Sequence, residues 1–169
     1  MSRDLILYAT PLGELAEQCD HYFERATARG GTSAQTYPPH CTLTGFFRRT
    51  AARADEVAAW TQTFLDERRG AWSDLQVVRL RSQHDWIGLE LSSPQLEQLA
   101  SDYGELQQVG PGEDAIRPKS WLHLSLAYGL ADLRPYERLC DLVDPTAPAS
   151  WELALWERTA AGDWSRLTA

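Results

Sequence analysis

Apolar positions along the chain recur in two kinds of run. Residues 5–9 (Leu-Ile-Leu-Tyr-Ala) are continuously apolar, the pattern of a buried strand, and Thr10-Pro11 predicts its end. From residue 12 to 29 the spacing changes. Leu15, Cys19, Phe23 and Ala26 recur at steps of four, four and three, which gathers them on one stripe of a helix. Gly30-Gly31 predicts its stop. Residues 32–39 read as a loop, and Pro38-Pro39 delivers extended backbone into a second strand over residues 40–47. A second helix is predicted over 52–69, with Val57, Trp60, Phe64 and Leu65 on its apolar side and Gly70 closing it. Residues 74–81 and 86–91 form two strands, and the short link between them predicts an antiparallel hairpin. Ser93-Pro94 starts a third helix, cap then proline, with a stripe of Leu96, Leu99, Ala100, Tyr103 and Leu106. After a Gly- and Pro-rich loop at 109–118 come a strand at 121–128, a short helix at 133–142, a turn at 144–148 and a strand at 151–156. A last short strand at 163–167 follows the Gly162 turn.

This order of elements favours an α+β fold with largely antiparallel sheet over a doubly wound sheet, and the two halves hint at a duplication. At 169 residues the chain suits a single domain over 1–169. It can bury roughly 70% of its extended-chain surface without a disulfide or metal staple. No apolar run reaches the ~18 residues of a membrane span, and the first residues carry no signal-peptide pattern. A cytoplasmic monomer is the default. Aspartate and glutamate outnumber lysine and arginine by 24 to 16, so the chain is a poor holder of long nucleic acid, although a local pocket can still be positive. Cys19, Cys41 and Cys140 are far apart and odd in number, which points to reduced thiols rather than a zinc or dithiol site.

Two of the four histidines sit in similar surroundings. One stretch reads Pro39-His40-Cys41-Thr42-Leu43-Thr44-Gly45, the other His123-Leu124-Ser125-Leu126-Ala127-Tyr128-Gly129. Period two puts His40, Thr42 and Thr44 on one strand face, with Cys41 and Leu43 on the other. Likewise His123 and Ser125 share a face, and Leu122, Leu124 and Leu126 turn to the core. Two imidazoles across a cleft can act as base and acid, since histidine supplies both forms near neutrality. Two hydroxyls beside them can hold phosphate oxygens. Each hydroxyl can equally serve the sheet, because Thr and Ser pair across strands. A metal site lacks a third ligand at fixed spacing. His21 on the first helix and His84 in a hairpin turn read as surface residues.

At these residues the chain resembles the 2H phosphoesterase superfamily, named for paired His-x-Thr/Ser motifs, and most of all the plant- and yeast-type 2′,3′-cyclic nucleotide phosphodiesterases. The resemblance implies two pseudo-symmetric lobes of antiparallel sheet with outer helices and a central cleft. It implies hydrolysis of a small cyclic-phosphate nucleotide, a nucleoside 2′,3′-cyclic phosphate or ADP-ribose 1″,2″-cyclic phosphate, with no metal and no cofactor. His40 and His123 become the catalytic pair, Thr42 and Ser125 the phosphate donors, and Tyr128 part of the substrate site. For a product with its phosphate on the 2′ oxygen, the family pattern makes His123 the base and His40 the acid. Tyr128 lies on the wrong face by simple alternation, so it reaches the cleft only if the strand ends or bulges near Ala127.

Tyr37 and Trp121 are placed to stack on a base, and Arg117 and Lys119 to supply positive charge near the second motif. The loops at 32–37 and 109–120 are the expected cleft covers. RNA ends as substrate, 2′-5′ phosphodiesterase or ligase activity, and a non-catalytic nucleotide-binding module are the rival readings.

Overall fold

In the computed structural model, the described residues are 2–158 and 162–168. The chain folds as β1 (Ser2–Leu12), α1 (Glu14–Thr27), a 3-10 turn (Ser33–Thr36), β2 (Cys41–Thr42), β3 (Phe47–Thr50), α2 (Ala51–Glu67), β4 (Gln76–Gln83), β5 (Trp86–Ser92), α3 (Pro94–Leu106), β6 (His123–Tyr128), α4 (Arg134–Glu137), a second 3-10 turn (Cys140–Leu142), β7 (Ser150–Arg158) and β8 (Trp164–Arg166). The strands form one sheet in the order β4-β5-β6-β2-β1-β7-β8, with β3 also on β1, and every pairing is antiparallel. This is an α+β fold with outer helices. None of the described helices is long and apolar enough to cross a membrane.

The two faces of the sheet do different work. On β1, Leu5, Leu7 and Ala9 join the helical stripes of α1, α2 and α3 in the hydrophobic core, as do Leu15, Cys19, Phe23 and Ala26. Ile6 and Tyr8 point the other way and line a cavity. Caps follow the sequence: Ser93 Oγ accepts from the Leu96 N–H at 3.0 Å, and Gly30 and Gly31 adopt the positive φ that ends α1.

Several boundaries differ from expectation. Strand β1 runs through Thr10-Pro11 to Leu12, because Pro11 lies past the last pairing with β2, at Ala9. The Leu7 N–H and C=O both face the β2 side, so by alternation the Pro11 nitrogen does too, where no partner needs its missing hydrogen. The strand expected over 40–47 is broken. Tyr8 pairs with Thr42 and Leu5 with Phe47, so four residues of one strand face two of β1, and residues 43–46 bulge. His40 therefore precedes β2, and β6 starts at His123 rather than Trp121. Leu106, expected in the α3 stripe, is the last residue of the helix and is 56% exposed. The helix expected over 133–142 is α4 followed by a 3-10 turn. Of the Gly162 turn, residues 159–161 lie outside the described residues.

Candidate functional site

The cavity on the sheet face opposite the helices has a volume of about 680 Å³. Its floor is set by strand register. On the adjacent antiparallel strands β2 and β6, Cys41 faces Leu124, both with fully buried side chains. Continuing that register one residue each way sets Thr42 opposite His123 and His40 opposite Ser125. Such cross-strand neighbours stand about 4.5–5.5 Å apart at Cβ. The two His-x-hydroxyl units thus run side by side in opposite directions, and all four residues line the cavity. Thr44, expected on the same face, is fully buried, and its Oγ1 accepts the Leu7 N–H at 3.1 Å. That hydroxyl serves the sheet.

Both imidazoles are held the same way. His40 Nδ1 lies 2.7 Å from the Pro38 carbonyl, and His123 Nδ1 lies 3.1 Å from the Trp121 carbonyl. A carbonyl only accepts, so each Nδ1 carries its hydrogen and each Nε2 keeps its lone pair in the neutral ring. Each ring also lies against an aromatic side chain. Tyr8 is 3.8 Å from His40 between centroids, and Trp121 is 4.0 Å from His123. Burial pushes the His40 imidazole down to about 4, opposed by its Pro38 bond and reinforced by His123. His123 is also lowered, by burial first, with the Lys119 ammonium adding to the effect. Burial holds the Cys41 thiol up at about 12, as suits a core residue. Cys19, Cys41 and Cys140 are all unpaired.

The hydroxyls differ in their partners. Trp86 Nε1–H donates to Ser125 Oγ at 2.9 Å, leaving the Ser125 hydrogen to be given elsewhere. Gly88, which pairs with Ser125, makes this possible: a Cβ there would stand 2.5 Å from the Trp86 ring and run into the Leu124 carbonyl oxygen. No side-chain hydrogen bond engages Thr42 among the described residues.

Tyr128 reaches the cavity by the bulge its position requires. Gly88 pairs with Ser125 but Ile87 with Ala127, so β6 carries an extra residue between them and its alternation flips. Leu126 and Ala127 are both buried, and Tyr128 lines the cavity, its hydroxyl donating to the Ser33 carbonyl at 3.4 Å. Tyr37, Trp121, Arg117 and Lys119 line it as well. The cover is smaller than expected: of the two loops, Ala34, Tyr37, Arg117 and Lys119 border the cavity, and residues 109–116 do not. His21 and His84 are exposed, the latter in the two-residue β4–β5 turn at φ 49°.

Sequence reasoning missed Tyr8, Phe46, Trp86, Gln83 and Asp85 as lining residues. Tyr8 carried a signal, as the one hydroxyl-bearing side chain in the run 5–9, on the face opposite Leu5 and Leu7. Trp86 carried a fainter one, a large ring two residues before a glycine.

No family model matches the chain. Over 165 residues, 94% of the chain, it is 26% identical to ubiquitin-associated and SH3 domain-containing protein B of Mus musculus, and equally to that of Homo sapiens. Over 164 residues, 92% of the chain, it is 27% identical to the ecdysteroid-phosphate phosphatase of Bombyx mori. The matched stretch spans only about a quarter of the length of each relative: 26%, 25% and 24%.

Proposed function

We propose that the chain is a phosphodiesterase of the 2H type, opening a small cyclic phosphodiester by acid–base catalysis between His40 and His123 without a metal. One observation carries this reading: the register of β2 against β6 that sets His40 by Ser125 and Thr42 by His123 on a single cavity wall. The antiparallel pairing of like motifs also supports the pseudo-two-fold, two-lobed description, because an antiparallel pair has a local two-fold axis between its strands.

The phosphate sits between the two Nε2 atoms. Ser125 and Thr42 donate to its non-bridging oxygens, where charge grows in the transition state. One neutral imidazole takes a proton from water as the water oxygen bonds to phosphorus. The opposite imidazolium gives a proton to the departing ribose oxygen as the P–O bond breaks. In the free protein burial holds His40 more firmly neutral than His123, which suits His40 to the role of base and His123 to that of acid. This is the reverse of the assignment that the resemblance attaches to a 2′-phosphate product. A bound phosphate anion favours the protonated form of both rings, and His123, nearer the open rim, takes the proton first.

The Bombyx mori relative is named as a phosphatase of an ecdysteroid phosphate, so a phosphate ester is the chemistry named in one relative. Because the chain matches a quarter of that protein, the name lends only the general class.

The test is turnover in EDTA of the four nucleoside 2′,3′-cyclic phosphates and ADP-ribose 1″,2″-cyclic phosphate, with the product isomer read by phosphorus NMR. His40→Ala and His123→Ala should each lower turnover on the order of 10²-fold or more. Near-full activity in either variant overturns the paired mechanism. Binding without turnover by the folded protein favours a nucleotide-binding module instead.

A further inference from the structure

We propose that the cavity holds a second anion subsite, formed by Arg117 and Lys119, and that its nucleotide therefore carries a 5′-phosphate besides the phosphodiester at the histidines. The inference rests on the reading above and narrows its substrate class.

The segment bearing the two cations is a built edge. The Gly45 N–H donates to the Arg117 carbonyl at 2.8 Å, and the Lys119 N–H donates to the Leu43 carbonyl at 2.9 Å. Thr44 and Pro118 bridge between these bonds. Pro118 packs on α3, its Cγ 3.3 Å from where a Cβ on Gly104 would stand, while the residues on either side of it line the cavity. Arg117 lies along Gly45, its Nε 4.0 Å from where a Cβ there would stand. One residue, Pro118, separates the cations, a two-residue step of ~6.6 Å in extended chain, a span that one phosphoryl group can bridge with its three oxygens.

Charge supports the same reading. Among the described residues neither Arg117 nor Lys119 has a carboxylate within ion-pair distance. By contrast Arg3, Arg79, Arg81, Arg134 and Arg166 are each held at 2.5–2.9 Å. Two cations without an ion pair on one cavity wall make a local patch of positive charge in a chain of net charge −8. A phosphodiester brings a single negative charge, which the imidazoles and hydroxyls can meet. A terminal phosphate brings roughly −1.5 to −2 at neutral pH, the charge two cations match. The cavity is also polarised: Asp85 lies at its other end, on the β4–β5 turn beside Trp86 and Tyr128, where a phosphate would be repelled. A bound nucleotide is thereby oriented with its second phosphate toward Arg117.

The experiment compares kcat/KM for adenosine 2′,3′-cyclic phosphate and its 5′-phosphorylated form, using the wild type and an Arg117→Ala/Lys119→Ala double variant. The wild type should prefer the 5′-phosphorylated substrate at least tenfold. The double variant should bring that ratio close to one, and the wild-type preference should shrink as salt is raised. A wild-type ratio near one, or a preference that the double variant keeps, overturns the subsite. Binding is read in parallel by tryptophan fluorescence, with adenosine 2′,5′-bisphosphate against adenosine 2′-monophosphate. A bisphosphate preference lost in the double variant, with no turnover of either cyclic phosphate, supports the subsite and sinks the hydrolase reading. Equal binding of the two ligands sinks the subsite alone.

Discussion

His40 owes its chemistry to its surroundings. Tyr8 covers one face of its ring, the Pro38 carbonyl fixes its Nδ1–H, and burial disfavours its charged form. A folded-state value near 4 lies below the ~6.5 of an unfolded histidine, so between these limits the unfolded chain binds the extra proton. Stability from this residue is fully present above about pH 6.5 and is lost as pH falls toward 4. Scanning calorimetry between pH 7 and 4.5 should show a decline in Tm for the wild type. The decline should be shallower in His40→Gln, which has no proton to gain. Equal slopes would mean that His40 is protonated as readily in the folded as in the unfolded state. Trp121 makes the analogous contact with His123 from the rim, where it is 45% exposed. His123 is accordingly the more accessible ring of the pair.

At the scale of elements, two irregularities shape the site. The bulge at Leu126 turns Tyr128 into the cavity, and the bulge over 43–46 carries Gly45 and Phe46 to its wall. Gly88 is the third determinant. A methyl there would meet the Leu124 carbonyl oxygen and the Trp86 ring at once, and neither is the free end of a flexible chain. Gly88→Ala should cost about 1–3 kcal/mol in urea unfolding and release Trp86 from Ser125. An unchanged denaturation midpoint would show that β5 can shift at no cost. The helices were legible because their periodicity is local: Leu15, Cys19, Phe23 and Ala26 lie together whatever the rest of the chain does. Face membership at the two motifs was also legible, since Cys41 and Leu124 go to the core and leave His40 and Ser125 outside. What escaped depends on pairing between distant strands. That Tyr8 lies opposite Thr42, that Trp86 reaches Ser125, and that residues 40–47 change register midway all come from partners the local pattern does not name. The run through Pro11 escaped for a similar reason, because a proline is harmless only once the bare side of its strand is known.

Across the whole molecule, β1 is the strand on which the sheet depends. It pairs with β2 and β3 on one side, and with β7 over nine residues, from Asp4 opposite Arg158 to Leu12 opposite Ser150, on the other. A chain cut after residue 149 should therefore lose its cooperative thermal transition by circular dichroism; a sharp, native-like melt would show that the remaining strands suffice. The narrowest point of the sheet lies one strand over, at β2, two residues long and joined to β6 through the Cys41–Leu124 pair.

The pairing of β1 with β7 also carries a consequence for biosynthesis. At ~5–20 residues per second, the ribosome takes on the order of ten seconds between finishing the first strand and finishing its partner. Through that interval an apolar stretch, Leu5 to Ala9, waits with one hydrogen-bonding edge bare, the condition in which a nascent strand recruits the wrong neighbour or a chaperone.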